Sequence, residues 1–181
     1  MFHLNTELLI DYWRERRGER ALPARADIDP TAFAALAPNV FIVLRQGAGD
    51  YRFRLAGEGV HDLHGRALAG ENLLLLWRAD HRGFLTSALE AAMRAPAPVV
   101  VSAEARTRDA IAGRLEILFA PLSGPTGLAD RFLGLCQPIA PFEHLDGRTL
   151  SDLAIRSVNS GAARRAASSL RLAAVDGRQI A

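Results

Sequence analysis

Lysine is absent from this chain of 181 residues, and all 22 basic side chains are arginine. A guanidinium stays protonated and forms no imine, so Schiff-base and lysine general-base chemistry are excluded. Cysteine is nearly absent too: the lone Cys136 rules out an intrachain disulfide framework and any CxxC metal site, and it fits a reducing compartment, the cytoplasm. No apolar run approaches the ~20 residues that span a bilayer, Leu73 to Trp77 being far too short. The amino terminus also lacks the basic start and apolar core of a signal peptide.

What is present is apolar but small. Hydrophobic residues make up 49% of the chain, yet 32 of them are alanines that bury little area each, so the large apolar groups must be concentrated in strands. Charge is unevenly placed: residues 1–146 hold 16 arginines against 18 acids, and residues 147–181 hold 6 arginines against 2. The body has no concentrated basic face with interleaved aromatics, which argues against a nucleic-acid partner. The pattern predicts a domain over residues 1–145 and a separate region over 146–181, with a short helix from Ser151-Asp152 to Val158 and a flexible basic tail from Ala162 to Ala181.

Along the body, Asn5 or Thr6 caps a helix running to about Arg17, with Leu8, Leu9, Tyr12 and Trp13 on its apolar side. Asp29-Pro30 starts a two-turn helix over Thr31 to Ala37. Val40 to Arg45 and Asp50 to Ala56 form a hairpin across Gln46-Gly47-Ala48-Gly49. In the second strand Tyr51, Phe53 and Leu55 alternate with Arg52 and Arg54, the period of a half-buried strand. Glu58 to Leu63 makes a short helix. Asp80 to Arg94 reads as the main helix, with Phe84, Leu85, Ala88, Leu89 and Ala92 on one side. Three antiparallel strands follow, near Val99 to Thr107, Ala112 to Pro121 and Arg131 to Gln137. Five strands with a helical interruption after the second give an α+β domain.

The RLAG block ending at Gly57, the GR-x-L-x-G spacing from Gly65 to Gly70 and the Leu76-Trp77 pair resemble a family of small stand-alone bacterial PAS-domain proteins. Asp11-Tyr12-Trp13 and the segment from Leu22 to Pro30 are similar to that family's amino-terminal signature, and the likeness covers about residues 5 to 145. It implies a five-stranded antiparallel sheet in the order 2-1-5-4-3 with helices on one face, an added N-terminal helix and a C-terminal tail. It also implies a sensory or regulatory role, dimerisation through the first helix and sheet, and action on a separate signalling protein. Leu8, Leu9, Tyr12 and Trp13 are then the dimer or partner candidates. Phe53, Leu55, Trp77, Phe84, Leu115 and Ile117 are expected to point inward around a site for a small, mainly apolar ligand.

Other chemistries are less well supported. His61 and His64 stand three apart but lack a second pair of metal ligands at convincing spacing. His81 lies where haem-binding relatives place their iron ligand, although Arg78, Asp80 and Arg82 make that end polar. Light-sensing relatives that form a flavin adduct need a cysteine in the helical region, which has none; Cys136 falls in the last of the five strands and reads as a small buried hydrophobe. The glycine pairs fit neither nucleotide-binding spacing, and no GxSxG elbow is present. Two alternatives to a ligand sensor stay open: an interaction module whose core fills its own cavity, and a small enzyme using Asp62, His64 or Glu116 as a base.

Overall fold

The computed structural model describes residues 1–142 and 149–161. Helix α1 spans Leu4–Arg17 and is capped by His3, whose Nδ1 accepts the Asn5 N–H, rather than by Asn5 or Thr6. Arg14, Arg16 and Arg17 sit in its last turn, where the helix dipole favours cations. Gly18, at φ 57°, closes it by donating to the Arg14 carbonyl. The Asp29-Pro30 start is used, with Asp29 accepting the Thr31 N–H at 2.9 Å. The segment Pro30–Asn39 nevertheless winds as a 3-10 helix, broken at Phe33 (φ −136°, ψ 35°), whose buried ring meets Tyr12 edge-on at 5.2 Å.

Strands β1 (Val40–Gly47), β2 (Asp50–Ala56), β3 (Val99–Arg106), β4 (Ile111–Ser123) and β5 (Ala129–Pro138) form the antiparallel sheet in the expected order. Between β2 and β3 lie α2 (Glu58–His64), short 3-10 turns at Leu73–Leu76 and Ala79–His81, and α3 (Arg82–Arg94). Gly57 is required where α2 begins, because a Cβ there would collide with the carbonyl oxygens of Ala37 and Pro38.

The region from Ser151 to Val158 is not a helix. Asp152–Ser160 form β6, which pairs antiparallel with β3, from Arg106 opposite Asp152 to Val99 opposite Ser160. Among the described residues the sheet thus has six strands in the order β2-β1-β5-β4-β3-β6 and extends past residue 145. An edge strand left bare is a costly row of unpaired backbone groups, and β6 covers the one that β3 would present. The expected basic tail over 162–181 lies outside the described residues.

Alternation along the strands sorts the core into two layers. The inner face carries Phe41, Val43, Phe53, Val101, Leu115, Ile117, Phe119 and Phe132 beneath α2, α3 and the 3-10 turns. The outer face carries Val40, Ile42, Leu118, Ala120, Leu133 and Leu135 beneath α1 and the 3-10 segment after Asp29. Helices therefore cover both faces, with the N-terminal helix forming the outer layer.

Candidate functional site

The inner face is lined by rings. Phe41 meets Phe53 and Phe119 edge-on, each at 5.7 Å between centroids, Phe119 meets Phe132 at 5.9 Å, and Tyr51 lies 6.2 Å from Phe132. Such edge-to-face pairs add roughly 0.5–1.5 kcal/mol each beyond area burial. Gly134 on β5, opposite Phe41, makes room for the ring, since a Cβ there would run into it. At one end Glu90 of α3 accepts the Tyr51 hydroxyl at 2.8 Å and the Arg45 Nε–H at 2.7 Å, fastening the long helix to β1 and β2. Hydrogen bonding to Arg45 holds the Glu90 carboxyl below its ordinary range, and burial pushes the Tyr51 phenol up.

Of the six expected lining residues, the structure brings together Phe53, Trp77, Leu115 and Ile117, all at most 3% exposed. Leu55 and Phe84 do not join them; they are 49% and 58% exposed. The cause at Leu55 is a β-bulge. Ile42 pairs with Leu55 and Val43 with Phe53, so Arg54 is an extra residue and every side chain after it changes face. At Phe84 the inward stripe of α3 runs through Leu85, Leu89, Ala92 and Met93, one residue round the helix.

Trp77 is the unusual member. It is 1% exposed, and its indole N–H finds no acceptor among the described residues. Leaving a buried donor unpaired costs on the order of 1–3 kcal/mol. Its own backbone is well held, with its N–H donating to the Leu74 carbonyl and its carbonyl accepting from the Arg82 Nε–H.

His81, the weakly supported haem-ligand position, ties the helical cover to β6. Its Nδ1 accepts the Ile155 N–H of β6 at 2.9 Å, so the ring proton sits on Nε2 and neither nitrogen has a lone pair to give an iron. The residues present do not fit haem ligation through His81. They do not fit a flavin-thiol adduct either: Cys136 lies on β5, buried, and burial pushes its thiol up to about 12.

The candidate bases share no site. Asp62 is exposed on α2, His64 is buried at the end of that helix, and Glu116 lies on the other face of the sheet, where it accepts the His3 N–H at 2.8 Å. His61 turns its Nδ1 to the Leu68 N–H. Among the described residues no three His, Cys, Asp or Glu side chains are grouped to hold a metal ion, and no helix is long and apolar enough to cross a membrane.

The dimer candidates are already engaged. Leu9, Tyr12 and Trp13 are at most 8% exposed against the outer face, and the Trp13 indole donates to the Pro121 carbonyl at 2.7 Å. Only Leu8 stays outside, at 46%. The interleaving of buried and exposed apolar residues on α1 left no sequence signal to separate Leu8 from Leu9.

No curated protein matches this chain. Among solved structures it is similar to a LOV protein of Rhodobacter sphaeroides, at 17% identity over 62% of this chain and 69% of that one, with a TM-score of 0.46. It is also similar to the PAS domain of a protein from Colwellia psychrerythraea, at 19% identity over 61% of this chain and 98% of that one, with a TM-score of 0.45. The family assignment rests on a firmer match: residues 1–137 fit the family model described as PAS domain. With that match spanning three quarters of its length, the chain belongs to the PAS-domain family.

Proposed function

We propose that this PAS domain is a sensory or regulatory module of the cytoplasm that takes a small, mainly apolar molecule between sheet and helices and passes its state to a partner protein by contact. The observation that carries the reading is the buried indole N–H of Trp77, which has no acceptor among the described residues and belongs to the inner apolar cluster. A guest with an apolar body and one acceptor oxygen would remove the cost of that unpaired donor. The scatter of Asp62, His64 and Glu116 favours a non-catalytic role.

Thermal unfolding against a panel of alkyl and aryl ketones tests this. The wild type is expected to be stabilised by at least one member. Trp77→Phe, which keeps the ring and loses the donor, should weaken that ketone roughly tenfold. Leu55→Trp, at an exposed position, should leave it unchanged. A second reading is favoured by the ring network from Phe41 to Tyr51: an interaction module whose inner face is filled by its own side chains. Stabilisation by no ketone would support it over the first.

A further inference from the structure

Strand β6 is gripped by both layers of the molecule. At its start the inner cover holds it, with the Arg78 N–H donating to the Leu153 carbonyl at 3.0 Å, His81 accepting the Ile155 N–H, and the Leu153 side chain 2% exposed in the inner cluster. At its far end the outer layer holds it. The Arg14 guanidinium of α1 donates to the Gly161 carbonyl, and a methyl group on Gly161 would meet both Pro98 and Ile10. Between the two grips the register against β3 slips once, at Arg156, opposite the step from Ser102 to Ala103.

We propose that β6 is a relay joining the Trp77–His81 segment of the helical cover to the N-terminal helix. A strand paired to one neighbour on both sides of a single slip is fixed in register, because shifting it by one residue would reverse every side chain's face, so a disturbance at one end is passed along the strand rather than absorbed by a new register. Displacement of Arg78 and His81 therefore loosens Leu153 and Ile155, and with them the Gly161 carbonyl that Arg14 grips. Because coupling between two sites is reciprocal, releasing Arg14 must loosen the His81 end by the same factor. The relay gives the sensory reading an output, and only its biological use rests on that reading. The coupling itself is tested without any ligand.

The test is amide-resolved hydrogen exchange on the full chain, wild type against three single variants. In His81→Ala, exchange of the Gly161 N–H, which donates to the Pro98 carbonyl at 2.8 Å, should rise roughly three- to tenfold, the scale of one lost hydrogen bond. In Arg14→Ala the Ile155 N–H should rise by a similar factor. His81→Asn, whose side-chain oxygen stands close to where Nδ1 was, should return Gly161 to the wild-type rate. The central amides of Val43 and Leu133 serve as references. The relay is overturned by a Gly161 rate unchanged in His81→Ala, by an Ile155 rate unchanged in Arg14→Ala, by failure of His81→Asn to restore Gly161, or by an equal rise at the references. A failed relay leaves β6 as an edge cover and the ketone experiment unaffected.

Discussion

His64 is 7% exposed at the end of α2, and burial, with a smaller push from the Arg66 charge, lowers its pKa from 6.5 to about 4. The folded protein holds the ring neutral, whereas the unfolded chain binds a proton at 6.5. Stability from this residue is therefore complete above pH 6.5 and lost as pH falls toward 4, a loss on the order of 3 kcal/mol. Urea unfolding of wild type and His64→Leu at pH 7 and pH 4.5 should show a gap between the two pH values that is smaller in the variant; equal gaps would mean that His64 is not held neutral. At this scale the sequence was readable where alternation ran unbroken, as at Tyr51, Phe53, Leu115 and Ile117. It misled at Leu55, because a bulge is set by pairing with Ile42 and Val43 across the hairpin and leaves no mark in a single strand's pattern.

Strand β6 shows the same limit one level up. Ala154, Ile155 and Val158 stand at helical spacing behind a Ser151-Asp152 pair that resembles a cap, so local pattern favours a helix. The β3 edge decides otherwise. Val99 to Arg106 offers a row of backbone groups that only a strand can satisfy, and the partner lies some fifty residues away, beyond any window of periodicity. The other five strands were legible because each carried its own alternation and turn signals. Removing the chain from Leu150 onward would withdraw the buried Leu150, Leu153 and Ala154 and bare the β3 edge. Its melting temperature should fall by more than ~8 °C, corresponding to roughly 2 kcal/mol or more. A chain ending after Gly161 keeps all of β6 and should melt within ~2 °C of the full protein; a larger drop would assign the tail a structural part.

At the scale of the whole molecule, the outer layer decides which surfaces are left for partners. The apolar face of α1 was plain in the sequence, but the same stripe suits docking on the chain's own sheet or on a second copy, and nothing local distinguishes them. Here Leu9 and Trp13 are buried in the same outer cluster as Leu118, Ala120 and Leu133, so Trp13→Ala acts first on stability, by about 3–5 kcal/mol through lost packing and the lost bond to Pro121. A homodimer formed through α1 would have to use what that helix leaves outside, namely Leu4 and Leu8, 75% and 46% exposed and one turn apart. Leu8→Asp should lower self-association in sedimentation without moving the melting temperature by more than ~2 °C, because an exposed substitution changes stability by at most about 0.5 kcal/mol. If Leu8→Asp sediments as the wild type does, the exposed flank of α1 is not the dimer surface. If it melts as low as Trp13→Ala, Leu8 belongs to the sheet-facing side after all.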